Sequence, residues 1–214
     1  MGLSPHNTTP NPANQRKLGF YGGAFDPPHL AHLALAKHAS AHLNLDALHV
    51  VPTGQAGHKA PTRTPASHRL AMLSLAFADM PQVVIDDRET RRAGLSYTVD
   101  SLKELKAEHP QAQWFLIIGE DQARALESWR DWQQIVQLAQ VVVAARAVGA
   151  QEPSSWSRWH NRATLDAIDL AFPCMDISAT RIREACAQGR SISQWVSSNV
   201  NDYIQHHHLY RQTR

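Results

Sequence analysis

Two adjacent glycines, Gly22 and Gly23, constrain this chain more than any other feature. They follow a short apolar run, Leu18 to Tyr21, that reads as a buried strand. They precede Asp26-Pro27-Pro28 and a run of helix formers from His29 to about His42. Glycine has no Cβ, so the backbone there can turn sharply or come close to a ligand. Proline suits the first turn of a helix. The stretch is therefore expected to be strand, glycine turn and helix. Such a helix aims free N–H groups and the positive end of its dipole at whatever lies above the strand, a place that binds phosphate. His29 and His32 stand three apart and share a helix face, so both rings can reach one ligand. No Gly-Lys-Ser/Thr follows, and the glycine spacing is not that of a dinucleotide-binding turn.

Further on, apolar runs alternate with helical patterns, the signal of parallel strands joined by helices. Strands are expected at Ala47–Pro52, Gln82–Asp86, Trp114–Ile118, Val141–Ala145 and Asp169–Phe172. Helices are expected from Ser67, after Ser96-Tyr97-Thr98 to about Glu108 with Ser96 or Thr98 as cap, from Asp176 to Gly189, and from Ser193 to His206. Thr53 to Pro65 reads as a loop carrying His58 and Lys59, and Glu89 and Arg91-Arg92 fill a polar connection. Trp156 and Trp159 are expected to cover a core edge. The expected fold is α/β: a doubly wound, mainly parallel sheet flanked by helices. Ligands in such sheets sit beyond the carboxyl ends of the strands, and Gly22–His32, Gly119–Asp121 and Arg146 all fall there.

Composition narrows the class. A chain of 214 residues with 43% hydrophobic content suits one domain, taken as residues 17–214 behind a flexible tail of residues 1–16. No apolar run is long enough to span a bilayer. The tail has no apolar core of a secretory signal, so the cytoplasm is the expected location. A net charge of +2 gives no reason to expect nucleic acid as a partner. No membrane partner is expected either, and a homo-oligomer is left open. Cys174 and Cys186 read as unpaired thiols. His206 to His208 read as a solvated helix end rather than a metal site.

Near the carboxyl end, Ile177-Ser178-Ala179-Thr180-Arg181-Ile182-Arg183 reads as another helix start, with Ser178 as cap and Arg183 in the first turns. Two helix N-termini, two histidines and an arginine facing one point suit nucleoside-triphosphate chemistry. A substrate phosphate, with its second pKa near ~6, is mostly dianionic at neutral pH and can attack an α-phosphate directly. The protein then aligns the reactants and stabilises charge on the leaving group. Mg²⁺ arriving with ATP, not held by a dedicated protein site, shares that task.

Gly22-Gly23-Ala24-Phe25-Asp26-Pro27 with His29-Leu-Ala-His32 resembles the first signature of the nucleotidylyltransferase superfamily, with Ala31 where glycine is usual. Residues 177–183 resemble its second, Ile-Ser-x-Thr-x-x-Arg. The resemblance narrows further at His58-Lys59, Arg88-Glu89-Thr90, Ser96-Tyr97-Thr98, Ile117 to Asp121, Trp129 and Leu209-Tyr210-Arg211, all similar to bacterial nicotinate-nucleotide adenylyltransferases. It implies ATP and nicotinate mononucleotide as substrates. His29, His32 and Arg183 would then be catalytic. Gly22, Gly23, Phe25, Gly119, Asp121, Ser178 and Thr180 would join them around ATP. Gly23, Ala24, His58, Lys59, Tyr97, Thr98, Trp129, Arg130 and Arg146 would surround the mononucleotide, with Trp129 stacked on the pyridine ring. Other acceptors (nicotinamide mononucleotide, phosphopantetheine), a non-catalytic nucleotide-binding regulator and a zinc protein are the alternatives.

Overall fold

The apolar runs become the strands of one sheet with both faces covered. The computed structural model describes residues 15–56, 64–146, 166–173 and 175–211. In chain order the strands are β1 (Lys17–Gly23), β2 (Ala47–Pro52), β3 (Gln55–Ala56), β4 (Val83–Ile85), β5 (Leu95–Ser96), β6 (Gln113–Gly119), β7 (Gln140–Arg146) and β8 (Ala167–Phe172). The helices are α1 (Leu30–Leu43), α2 (Ala66–Ala76), α3 (Arg88–Arg91), α4 (Thr98–Glu108), α5 (Glu120–Arg124), α6 (Trp132–Leu138), α7 (Ala179–Ala187) and α8 (Ser198–His206). Six strands lie in the order β4-β2-β1-β6-β7-β8, every neighbouring pair parallel. The order reverses between β1 and β6, the switch point at which doubly wound sheets hold ligands. No helix among the described residues is long and apolar enough to cross a membrane.

Alternating side chains of each strand feed separate cores. Trp114, Leu116 and Ile118 of β6 pack with Val99, Leu102 and Leu105 of α4 on one face. Phe115 and Ile117 pack with Leu35, Ala36 and Ala39 of α1 on the other. This two-sided burial explains why the strands read as unbroken apolar runs. Each such Leu or Ile contributes roughly 1.5–3 kcal/mol over an exposed one. A third cluster joins Ile182, Ala185 and Cys186 of α7 to Met72 of α2 and to Val200 and Ile204 of α8. Their helical spacing leaves Thr180 and Arg183 on another side of α7.

Several local expectations change. Gly22 and Gly23 do not make the turn; they end β1 in register with Val51 and Pro52. The chain turns at Phe25, whose φ is 47°. A Cβ on Gly23 would lie 3.0 Å from the Phe25 ring, tighter than ordinary contact, so close packing favours glycine there instead. Tyr97 is the N-cap of α4, without a side-chain cap bond. Ser96 instead donates to the Glu89 carbonyl, and Thr98 is already helical. Arg88–Arg91 forms one helical turn, and the last helix starts at Ser198 because Trp195 turns back to the Ile192 carbonyl. Beyond Pro52, β3 and β5 form a small parallel sheet where only a loop was expected. Trp156, Trp159 and Cys174 lie outside the described residues; Cys186 is a buried free thiol.

That small sheet brings two segments very close together. A Cβ on Gly54 would sit 2.1 Å from the Glu89 carbonyl oxygen, a backbone atom that cannot swing aside. Gly54→Ala is expected to destabilise the protein by about 1–3 kcal/mol, as other overpacked sites do. Urea denaturation of the two proteins checks it, and an unchanged midpoint would contradict this packing.

Candidate active site

The site is the gap that opens where the two central strands part. The register of β1 with β6 runs from Lys17–Gln113 to Phe20–Leu116, whereas β1 stays paired with β2 as far as Gly23 and Pro52. Beyond Phe20 and Leu116 lies a cavity of about 560 Å³. Gly22, Gly23, Ala24, Phe25 and His32 line one wall of it, and Tyr97, Thr98, Trp129 and Arg130 another. A second cavity of about 540 Å³ is lined by Ala31, His32, Gly119, Asp121, Arg124 and Met175. Tyr21, His32, Leu35, Gly119 and Gln122 belong to both, so the two spaces meet at His32.

The two signatures, far apart in sequence, converge. Arg183 Nη1 donates to the Asp26 carbonyl at 2.7 Å, and Nη2 to Thr180 Oγ1 at 3.1 Å. The Leu30 amide donates to the Trp195 carbonyl at 2.8 Å, fixing the start of α1 to the segment before α8. This bond corrects one expectation: the first amide of α1 is already taken and does not await a phosphate. Ser178 does cap α7, its hydroxyl accepting the Arg181 amide at 3.3 Å. Thr180 and Arg183 line a separate cavity with Tyr210 and Arg211, while Ser178 is exposed and lines none of these three spaces.

His29 and His32 stack with ring centroids 3.6 Å apart, and His32 Nδ1 accepts the His29 amide at 3.2 Å. Phe25 packs edge-on against His32 at 4.9 Å and against Tyr21 at 5.4 Å. A left-handed phenylalanine costs of order 1–3 kcal/mol, and this packing holds it in place. Burial lowers the His29 pKa to about 4, and burial with the neighbouring His29 pushes His32 well below the ordinary value. Both rings are therefore neutral in the free protein at pH 7. They face a ligand as N–H donors or acceptors rather than as fixed cations.

On the opposite wall Trp129 is half-buried against the core, and the exposed Arg130 guanidinium lies 4.6 Å over the Tyr97 ring. His58 and Lys59 lie outside the described residues; Arg146 ends β7, and its side chain is not described. Sequence reasoning left Glu89, Ser96 and Ser128 out of the site, yet all line the first cavity, as does Thr53 of the loop that the resemblance directs to the mononucleotide phosphate. Glu89 is 6% exposed; Ser101 Oγ donates to its Oε1 at 2.9 Å, and the Gly54 amide bonds the same carboxyl. Burial raises its pKa above the usual carboxylate value despite those bonds and the nearby Arg92 charge. Only its neighbourhood in a motif hinted at this, since Glu is rarely buried. Among the described residues no group of three His, Cys, Asp or Glu side chains could hold a metal ion.

Known proteins match this arrangement. The cytidylyltransferase-like family model fits residues 20–185, a span that contains both signatures. A protein of Albidiferax ferrireducens named "Probable nicotinate-nucleotide adenylyltransferase" is 52% identical over 92% of this chain and 98% of its own length. The chain belongs to the nicotinate-nucleotide adenylyltransferase family. A Methylibium petroleiphilum member of that family is 38% identical over 95% of this chain and 97% of its own. The nicotinic acid mononucleotide adenylyltransferase of Plasmodium falciparum, solved in complex with NaAD, shares the fold at a TM-score of 0.73. It is 21% identical and covers 92% of this chain and 98% of its own. Ala31, at the position where the superfamily signature usually has glycine, lines the second cavity.

The histidine pair makes stability depend on pH. Between pH 6.5 and about 4 the unfolded chain takes up protons that folded His29 and His32 refuse. Their contribution is full above pH 6.5 and drains away as the pH falls through that window. The melting temperature is therefore expected to decline over this range. The decline should be shallower in a His29→Asn/His32→Asn variant; equal slopes would exclude the pair as its source.

Proposed function

We propose that this protein transfers the adenylyl group of ATP to nicotinate mononucleotide, giving nicotinate adenine dinucleotide and pyrophosphate in NAD synthesis. The observation that carries this reading is the pair of cavities meeting at His32, in a member of a family named for that reaction. A two-substrate transfer needs two adjacent binding spaces with the reacting atoms at their junction. The larger space, with Trp129 and Tyr97 on its wall, suits the pyridine mononucleotide. The smaller, beside Gly119 and Asp121, suits the adenosine half, with Asp121 directed to a ribose hydroxyl.

In this reading the phosphate oxygen of the mononucleotide attacks the α-phosphate of ATP in line, and pyrophosphate leaves from the far side. No protein nucleophile is required. His32 donates an N–H to the reacting phosphate, and His29 holds it through the stacked pair. As negative charge accumulates the pair becomes more basic, so nucleotide binding and proton uptake are linked. Arg183 uses two of its N–H groups on Asp26 and Thr180, leaving others for the departing pyrophosphate. Mg²⁺ enters as the metal complex of ATP and neutralises phosphate charge.

The Arg130 cation and the amide-lined start of α4 favour a carboxylate over a carboxamide on the pyridine ring. Burial shifts Glu89 toward its neutral form, so it opposes that anion less than an exposed carboxylate would.

Purified protein with MgATP is expected to release pyrophosphate faster with nicotinate mononucleotide than with nicotinamide mononucleotide. Equal or faster turnover of the amide would overturn the acceptor assignment. His32→Ala is expected to lower kcat by about 10²–10³-fold, the usual loss of an oxyanion-type donor. Arg130→Ala is expected to raise KM for nicotinate mononucleotide by roughly two- to fivefold, a modest change because the side chain is exposed. KM for the nicotinamide form should stay the same in that variant.

A further inference from the structure

The ending Leu209-Tyr210-Arg211 belongs to the resemblance but takes no part in the reaction described above. Its place in the fold gives it a task. Tyr210 sits past the end of α8 with φ 62°, and its hydroxyl donates to Asp26 Oδ1 at 2.7 Å, a residue 184 positions earlier. Thr64 hydrogen-bonds the same phenol. Asp26 itself is 5% exposed, and its carbonyl takes the Arg183 bond described above. One turn further back, Arg69 of α2, 2% exposed, donates to the Ala24 carbonyl at 2.9 Å and to the Thr64 carbonyl at 3.3 Å.

The turn between β1 and α1 is thus gripped from α2, from α7 and from the last described residues of the chain. Of these grips, Tyr210 alone reaches the Asp26 side chain. Burial, reinforced by the Asp26 charge, keeps the phenol protonated far above its ordinary range, so it stays a donor at any physiological pH. Asp26 is the last residue before the prolines that lead to His29, and it is also the acceptor that orients Arg183. A shift of this residue would move both groups together.

We propose that Tyr210 is a positioning residue of the nucleotide site: by fixing Asp26, the carboxyl-terminal segment sets where Arg183 and, through the stacked His29, His32 meet the triphosphate. The inference rests on the reading that this turn binds ATP. It separates the two substrates, because the mononucleotide wall at Tyr97, Trp129 and Arg130 has no described bond to Tyr210.

Tyr210→Phe keeps the ring and removes only the hydroxyl. Binding of a non-hydrolysable ATP analogue, followed by calorimetry, is expected to weaken roughly five- to tenfold, the loss of one hydrogen bond to a buried carboxylate. KM for ATP should rise by the same factor, while KM for nicotinate mononucleotide stays within about twofold. Thr64→Val, which removes the second bond to the phenol, should move the same quantities in the same direction by less. A Tyr210→Phe protein with unchanged analogue affinity overturns the proposal. So does one in which both KM values rise together, or in which only the melting temperature falls. If the wild-type protein binds the analogue but forms no dinucleotide, the functional reading fails and calorimetry still decides the role of Tyr210. Failure of the wild-type protein to bind the analogue would end both.

Discussion

The two central strands cannot stay hydrogen-bonded to one another and also leave room for the cavity between their ends. They part after Phe20 and Leu116, and every feature of the site follows from that parting. The sheet tolerates it because β1 keeps its partnership with β2, and β6 keeps its own with β7, to the strand ends. The exposed edge of the gap is then closed by side chains that cannot be ordinary core residues. Phe25 packs edge to face with Tyr21 and His32 across it, and Gly23 at the end of β1 leaves room for the Phe25 ring. Apolar burial elsewhere in the sheet supplies the stability against which this opening and the left-handed Phe25 are tolerated.

Much of the architecture was legible because it rests on period and composition. Runs such as Trp114 to Ile118 and Val141 to Ala145 carry no polar residue, and only a doubly covered parallel sheet buries such runs on both sides. The motif at residues 22–32 and the Ser178 cap were equally plain, since each depends on residue types with special backbone or hydrogen-bonding behaviour. What stayed hidden depended on contacts between distant segments. The segment around Glu89 does not itself show the burial, because the partners of Glu89 come from elsewhere, Ser101 from α4 and Gly54 from the connection after β2. Nor does local sequence tell that the Leu30 amide is consumed by Trp195. The turn at Phe25 was misplaced by two residues because glycine permits a left-handed backbone but does not require one.

The electrostatics of the site differ from what a list of its basic residues suggests. Two histidines and an arginine invite the picture of a permanent positive cluster. Burial, joined at His32 by the neighbouring His29, holds both imidazoles neutral, and Arg183 spends part of its guanidinium on a backbone carbonyl. The histidines thus add no fixed positive charge beside the Arg183 cation. A site of this kind avoids the repulsion of three closely packed cations in the empty protein. It also avoids trapping stray phosphate as tightly as a fixed cluster would.

The small sheet of Gln55–Ala56 and Leu95–Ser96 ties together two connections that arise on different strands of the main sheet. Their backbones share hydrogen bonds, and one carbonyl occupies the space that any side chain at position 54 would need. Insertions or deletions in either connection are therefore constrained by the other. Across descendants of this chain, the lengths of the two segments should drift in concert, and acceptor preference should diversify through side-chain identity rather than through loop size.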